Sequence, residues 1–203
     1  MKKYAVLHEP GDIVTLAGTR FVVLDVERRG SLPDSLFLLA LESVGASEFG
    51  SSNNYAESDL KKAVDKWLED MGKRGLDNAK LIPREIDLTT LDGSGCYGKL
   101  SVKAAPLTLD EAREYADIIP NAERWCWLAT GWSGPSKSDG DVALYVNSSG
   151  DWNGYGCSGS CGIRPALKAP SILFEDSEAG LDLSKIPTDD LLLEIHRRLA
   201  EKA

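Results

Sequence analysis

Cys157 and Cys161 are the first residues whose type and spacing could do chemistry. Three residues separate them, which suits a disulfide or one half of a metal site. A second ligand pair is missing. The other cysteines are Cys96 and Cys126, and the two histidines, His8 and His196, stand near opposite ends of the chain. A structural zinc site needs a complete tetrahedral Cys/His set, so the pair reads as two unpaired small residues in a glycine-rich segment. The same histidines are poorly placed as bases for a Ser or Cys nucleophile. Paired carboxylates carry no signal, because 32 acidic residues are spread along the chain and their default role is a solvated surface. The run Gly150-Asp151-Trp152-Asn153-Gly154-Tyr155-Gly156 has the glycines of a phosphate loop. It lacks the Gly-Lys-Ser/Thr ending, and no helical pattern follows it. These patterns imply no catalytic residue, no metal ligand and no cofactor.

Binding chemistry is better represented. Trp125, Trp127, Trp132 and Trp152 fall in one quarter of the chain. Aromatics in a strand are ordinarily core, and Trp125 or Trp127 is assigned there. Trp132 and Tyr155 sit instead among Gly, Ser and Asn. Rigid aromatics surrounded by small adaptable polar residues are the composition of antibody-like binding loops. The candidate ligand-binding residues are Trp132, Asp151, Asn153, Gly154, Tyr155, Gly156, Ser158 and Ser160, carried on loops 131–140 and 151–161. The plainer alternative is a glycine-rich loop with stray aromatics. Trp152 is expected to be a buried anchor.

The elements that must position these loops are apolar runs. Val142 to Val146 precedes the second loop and Ile163 to Leu167 follows it, so both read as strands that hold it in a sheet. Trp125-Cys126-Trp127-Leu128-Ala129 is another strand candidate. Asp12 to Leu16, the turn Ala17-Gly18-Thr19 and Phe21 to Val26 read as a hairpin. Leu36 to Leu41 reads as a strand buried on both faces. Ser58 is a good N-cap, and Leu60, Ala63, Val64, Trp67, Leu68 and Met71 then recur on one helical face until Gly72 and Gly75. Thr108 with Glu111 is a capping box opening a second helix. Its apolar face is Ala112, Tyr115, Ala116 and Ile119, and Pro120 stops it. Residues 76–106 read as irregular. After a polar break, Thr188 caps a tail helix striped by Leu192, Ile195 and Leu199.

The 203 residues, 42% of them hydrophobic, suit one domain over 1–170 with a linker and helix over 171–203. The net charge of −9 disfavours a phosphate backbone as partner, and the densest basic points are only Arg28-Arg29 and Arg197-Arg198. No run approaches the roughly 18 apolar residues of a membrane span. The opening apolar run is too short for a signal peptide. The expectation is synthesis in a cytoplasm without membrane insertion, with the tail helix covered by the domain or by another copy in a homo-oligomer or larger particle.

Six pieces, in order, carry a resemblance. They are Gly18 with Phe21-Val22-Val23-Leu24-Asp25; Asn54-Tyr55 before Ser58-Asp59-Leu60; Pro106 to Glu111; Trp125 to Thr130; Tyr145 to Gly150; and Gly162-Ile163-Arg164-Pro165-Ala166-Leu167. From about residue 11 to 168 the chain resembles the C-type-lectin-like domains of phage and gut-bacterial proteins, which share the broad fold of the formylglycine-generating enzymes. The resemblance implies an α+β domain with two helices flanking a twisted, mainly antiparallel sheet, and binding to a protein or cell-surface ligand, on a phage virion for example. Some relatives are variable proteins of diversity-generating retroelements, with a hypervariable segment before a Gly-Val/Ile-Arg-Pro-Ala ending. Adenine-directed mutagenesis of Asn codons reaches every residue type in 151–161 except Trp152. The enzymatic branch oxidises a substrate cysteine with copper held by two C-terminal cysteines; the spacing and surroundings of Cys157 and Cys161 do not match it. A structural virion protein without variable binding is the remaining alternative. No Glu-Pro-Asn or Gln-Pro-Asp motif occurs, so calcium-dependent sugar binding is not implied. Arg164 reads as a buried structural arginine paired to a carboxylate.

Overall fold

Alternation along the opening segment builds the first sheet. In the computed structural model, which describes residues 8–29 and 32–174 together with Thr188, Asp189 and Leu192, β1 (Ile13–Leu16) buries Val14 and Leu16 and exposes Ile13. It turns into β2 (Thr19–Arg29), which pairs antiparallel with β3 (Leu32–Ala40). On β2, Phe21 and Val23 enter one apolar cluster while Val22 and Leu24 enter another. Successive side chains of a strand point to opposite faces, so this sheet is buried on both sides. The continuous apolar run of β3 has the same cause.

Helix α1 (Asp59–Lys73) covers the first face. Ser58 caps it, its Oγ accepting from the Lys61 N–H at 2.9 Å, and Leu60, Val64 and Met71 are buried in the main cluster. Each such side chain contributes roughly 1.5–3 kcal/mol on burial. The other face packs on α2 (Leu109–Glu114), where the capping box of Thr108 and Glu111 is formed as expected. Only six residues are helical there, against the longer helix expected up to Pro120; a series of turns carries Tyr115 to Ile118 onward. Glu111 is also the ion-pair partner of the buried Arg84, so the helix start is tied to the strand that begins at Arg84, earlier in the chain.

Residues 76–106 are more ordered than their glycines suggest. They hold the antiparallel pair β5 (Arg84–Asp87) and β6 (Lys99–Val102), then the short β7 (Ala104–Ala105). The first sheet runs β1-β2-β3-β12-β7, with β12 (Ala166–Pro170) inserted between β3 and β7. The second runs β10-β9-β8-β11-β4, from β10 (Trp152–Gly156) through β9 (Val142–Val146), β8 (Cys126–Gly131) and β11 (Ser160–Gly162) to β4 (Ala46–Glu48). The pairings are antiparallel except β11 with β8. The fold is therefore α+β, with mostly antiparallel sheets and two helices among the described residues.

The chain packs beyond the expected boundary at residue 170. A 3-10 turn over Ser171–Phe174 buries Phe174, whose ring meets His8 edge-on at 6.0 Å. Most of the tail helix expected from Thr188 lies outside the described residues; Thr188, Asp189 and Leu192 are helical.

Candidate ligand-binding surface

The segment 151–161 is a strand, a turn and a strand, where a loop was expected. Its glycines and polar residues suppress the strand signal, yet β10 pairs with β9 along its whole length, with Asn153 opposite Tyr145 and Tyr155 opposite Ala143. β10 is an edge strand, so its outer side has no neighbour in the sheet. The turn before it is held by Asn147, whose Oδ1 accepts from the Ser149 and Asp151 N–H groups at 2.8 and 3.0 Å.

Strand alternation divides the candidate residues between two faces. Asn153 and Tyr155 share a face with Tyr145 and Trp127, and there the aromatics converge. Trp125 stacks on Tyr145 with centroids 4.7 Å apart, and the Tyr155 ring stands 6.0 Å from Trp125, 5.9 Å from Trp127 and 6.1 Å from Tyr145. Trp127 is the buried base of this group, its Nε1 donating to the Ser47 carbonyl at 2.9 Å. Trp125 and Tyr155 keep 45% and 41% of their surface exposed, so they are the accessible edge. Tyr155 lies directly on Gly159, where any Cβ would penetrate its ring. The exposed Ser158 forms the tip of the adjoining turn. Ser160 opens with Trp125 onto a shallow hollow of about 350 Å³.

Trp132 and Gly154 lie on the opposite face. Trp132 is half-buried against the cluster of Leu128 and Leu144, and a Cβ at Gly154 would stand 2.6 Å from its ring. Trp132 is therefore a packing element for β10 more than an accessible contact. Gly156 shares the face but has open space around it, and Asp151 is exposed at the strand's start. Trp152 corrects its expected role as a buried anchor. It is 44% exposed and lies under Arg113, whose guanidinium carbon sits 4.6 Å from the ring centroid. Of Trp125 and Trp127, one of which was expected in the core, Trp127 is the buried one and Trp125 is exposed. Trp125 and the buried Tyr145 complete this aromatic cluster, and composition did not single them out as part of the candidate site. Trp125 stands just before a run buried at all six positions, and strand-end alternation did not reveal which way it turns.

The cysteines are free thiols. Cys157 and Cys161 are buried, and burial pushes their thiols up to about 12 and about 11. The Cys157 backbone is pinned too, its carbonyl accepting from the Phe49 and Gly50 N–H groups at 2.9 and 3.1 Å. No group of three or more His, Cys, Asp or Glu side chains among the described residues could hold a metal ion. No helix among them is long and apolar enough to cross a membrane. His8 is buried with its pKa lowered by desolvation, and His196 lies outside the described residues.

Behind the α2-facing side of the sheet is a larger cleft of about 490 Å³ between the turns after α2, β8 and the Gly150–Trp152 corner. Arg164 lines it. The expected carboxylate partner is replaced by backbone: Nε donates to the Ala40 carbonyl at 2.8 Å and Nη1 to the Pro120 carbonyl at 2.9 Å. Measured against known proteins, the chain matches no family model, no curated protein and no solved structure.

Proposed function

We propose that this chain is a non-catalytic ligand-binding domain of C-type-lectin-like fold, which grips a protein or cell-surface ligand through the aromatic face of β10 and the turn after it. The observation that carries this reading is the cluster of Trp125, Tyr145 and Tyr155. Two large rings are held half-exposed on a rigid base and flanked by the small polar side chains of Asn153 and Ser158. Pre-ordered aromatics lose little entropy on binding, and the small polar neighbours adapt to the partner. A retroelement that varies 151–161 would act on side chains of an edge strand. Asn153, Tyr155, Ser158 and Ser160 can change there without entering the core, while Trp152 stays fixed by the codon rule.

Copper-dependent cysteine oxidation is less well supported. Metal binding needs thiolates, and burial holds Cys157 and Cys161 in the thiol form. A library randomised at Asn153, Tyr155, Ser158 and Ser160, displayed and melted, tests the binding-surface reading. Most members are expected to fold with a nearly unchanged melting temperature while differing in ligand choice. A library that mostly fails to fold overturns it. A template repeat and a reverse-transcriptase gene beside the coding sequence would establish the diversification, and their absence would leave a fixed binding domain.

A further inference from the structure

We infer that the cleft between the turns after α2 and the second sheet is a binding site for a small apolar carboxylate, whose charge is met by Arg164. This site lies on the α2-facing side of the sheet, away from the exposed rings of Trp125 and Tyr155 though Trp127 borders both, and it does not rest on the function proposed for those rings.

Arg164 is 6% exposed, and its Nη2 has no hydrogen-bond partner. Two carbonyl groups satisfy part of the guanidinium's donors but supply no negative charge. No carboxylate acts on Arg164 among the described residues, and its neighbour Cys126 is a buried thiol, pushed up by desolvation, that brings no negative charge. A buried cation without a counter-ion is strongly unfavourable unless something neutralises it. Arg84, the other arginine buried among the described residues, shows the usual solution, an ion pair with Glu111 and two backbone carbonyls. Arg164 has the carbonyls and lacks the acid.

The cleft supplies the room. Its volume of about 490 Å³ lies within the usual range for small-molecule sites. Leu107, Ile119, Leu128 and Val146 give it an apolar lining, and Asp151 stands at its edge. Asn121 and Asp151 also line it, and Arg164 is the one cationic side chain of the lining among the described residues, the group that orients an acid by its charged end. A carboxylate fits Arg164 because a guanidinium donates charge-assisted hydrogen bonds to it, and an aliphatic or aromatic body fills the remainder. A cation is opposed by Arg164, and an uncharged amide of the same shape forgoes the charge term.

Calorimetric titration of the full chain at neutral pH with hexanoate, hexanamide and hexylammonium tests the inference. Hexanoate is expected to bind about tenfold tighter than hexanamide or better, with no binding of hexylammonium. Arg164→Met removes the charge together with two backbone hydrogen bonds, so a loss of binding there does not separate the charge from the fold. Ala116→Trp is therefore the variant used: Ala116 is an exposed cleft residue, and an indole there takes up room in the cleft while Arg164 itself is kept. It should abolish hexanoate binding at an unchanged melting temperature. Tyr155→Ser should leave hexanoate affinity within about twofold, since it alters the other face only. Equal affinity for acid and amide, undiminished hexanoate binding by Ala116→Trp, or no binding of hexanoate by the wild type would each overturn the inference.

Discussion

Strands β8 and β10 flank the same strand, β9, and have opposite fates. β8 is buried at all six positions, Cys126 to Gly131, whereas β10 is exposed or half-exposed along its length. Both bond to β9, so backbone pairing does not distinguish them. Position in the sheet does. β8 is central, with β11 on its other side and apolar clusters on both faces. β10 is the edge, and its side chains are free of packing demands wherever the sheet does not turn them inward. A sequence can vary at such an edge while the adjacent centre keeps the fold, which is the division of labour a binding domain needs.

The comparison can be broken most sharply at Trp127. Trp127→Ala should cost about 3–5 kcal/mol, read as a large drop in melting temperature, because the ring is the floor of the main cluster beside Phe49. A small drop would mean that the centre is as permissive as the edge. The next largest effect falls within β10 itself. Gly154→Val should destabilise by about 1–3 kcal/mol, since the new side chain meets Trp132. Gly156→Ala, two residues along on the same face but in open space, should change stability by no more than about 0.5 kcal/mol. Equal effects at the two glycines would show that Trp132 moves aside. Substitutions at Asn153 or Ser158 should be as mild as Gly156→Ala in a chemical-denaturation series, and a cost near that of Trp127→Ala would place them in the core.

The smallest effect on stability belongs to thiol chemistry. At mildly alkaline pH iodoacetamide should label Cys96, which is exposed, and leave the melting temperature unchanged. Burial pushes the Cys157 and Cys161 thiols up to about 12 and about 11, and the thiolate is the reactive form, so they should label only after unfolding. Mass spectrometry of peptides from the native protein checks this. Ready labelling of Cys157 would mean that the β10–β11 segment opens.

Much of the frame was legible because it obeys simple periodicities. The α1 face from Leu60 to Met71, the Thr108–Glu111 capping box, the hairpin around Gly18 and the apolar run of β3 each follow from spacing and end signals. The candidate surface was legible only as composition. Asn153, Gly154 and Gly156 dilute the strand propensity that Trp152 and Tyr155 carry, and the pairing with β9 decides the conformation. The division of Asn153 and Tyr155 from Gly154 and Trp132 needs the register with β9, a long-range fact that one sequence does not contain. Trp152 misled for a related reason: a lone large aromatic suggests a core, but Arg113 from α2 covers it at the surface. The absence of an acid at Arg164 was equally hidden, since abundant carboxylates in the sequence do not reveal which of them reach it.

The placement of β11 and β12 bears on how the protein can be made. β11 lies between β8 and β4, and β12 lies between β3 and β7, so one short stretch near the end of the described core closes both sheets. A nascent chain leaving the ribosome has neither sheet complete until that stretch emerges, and pairings so distant in sequence are slow to form. Any change in the ten or so residues before it is therefore judged late in synthesis, when the closing stretch either docks into two waiting gaps or leaves both of them open to other chains.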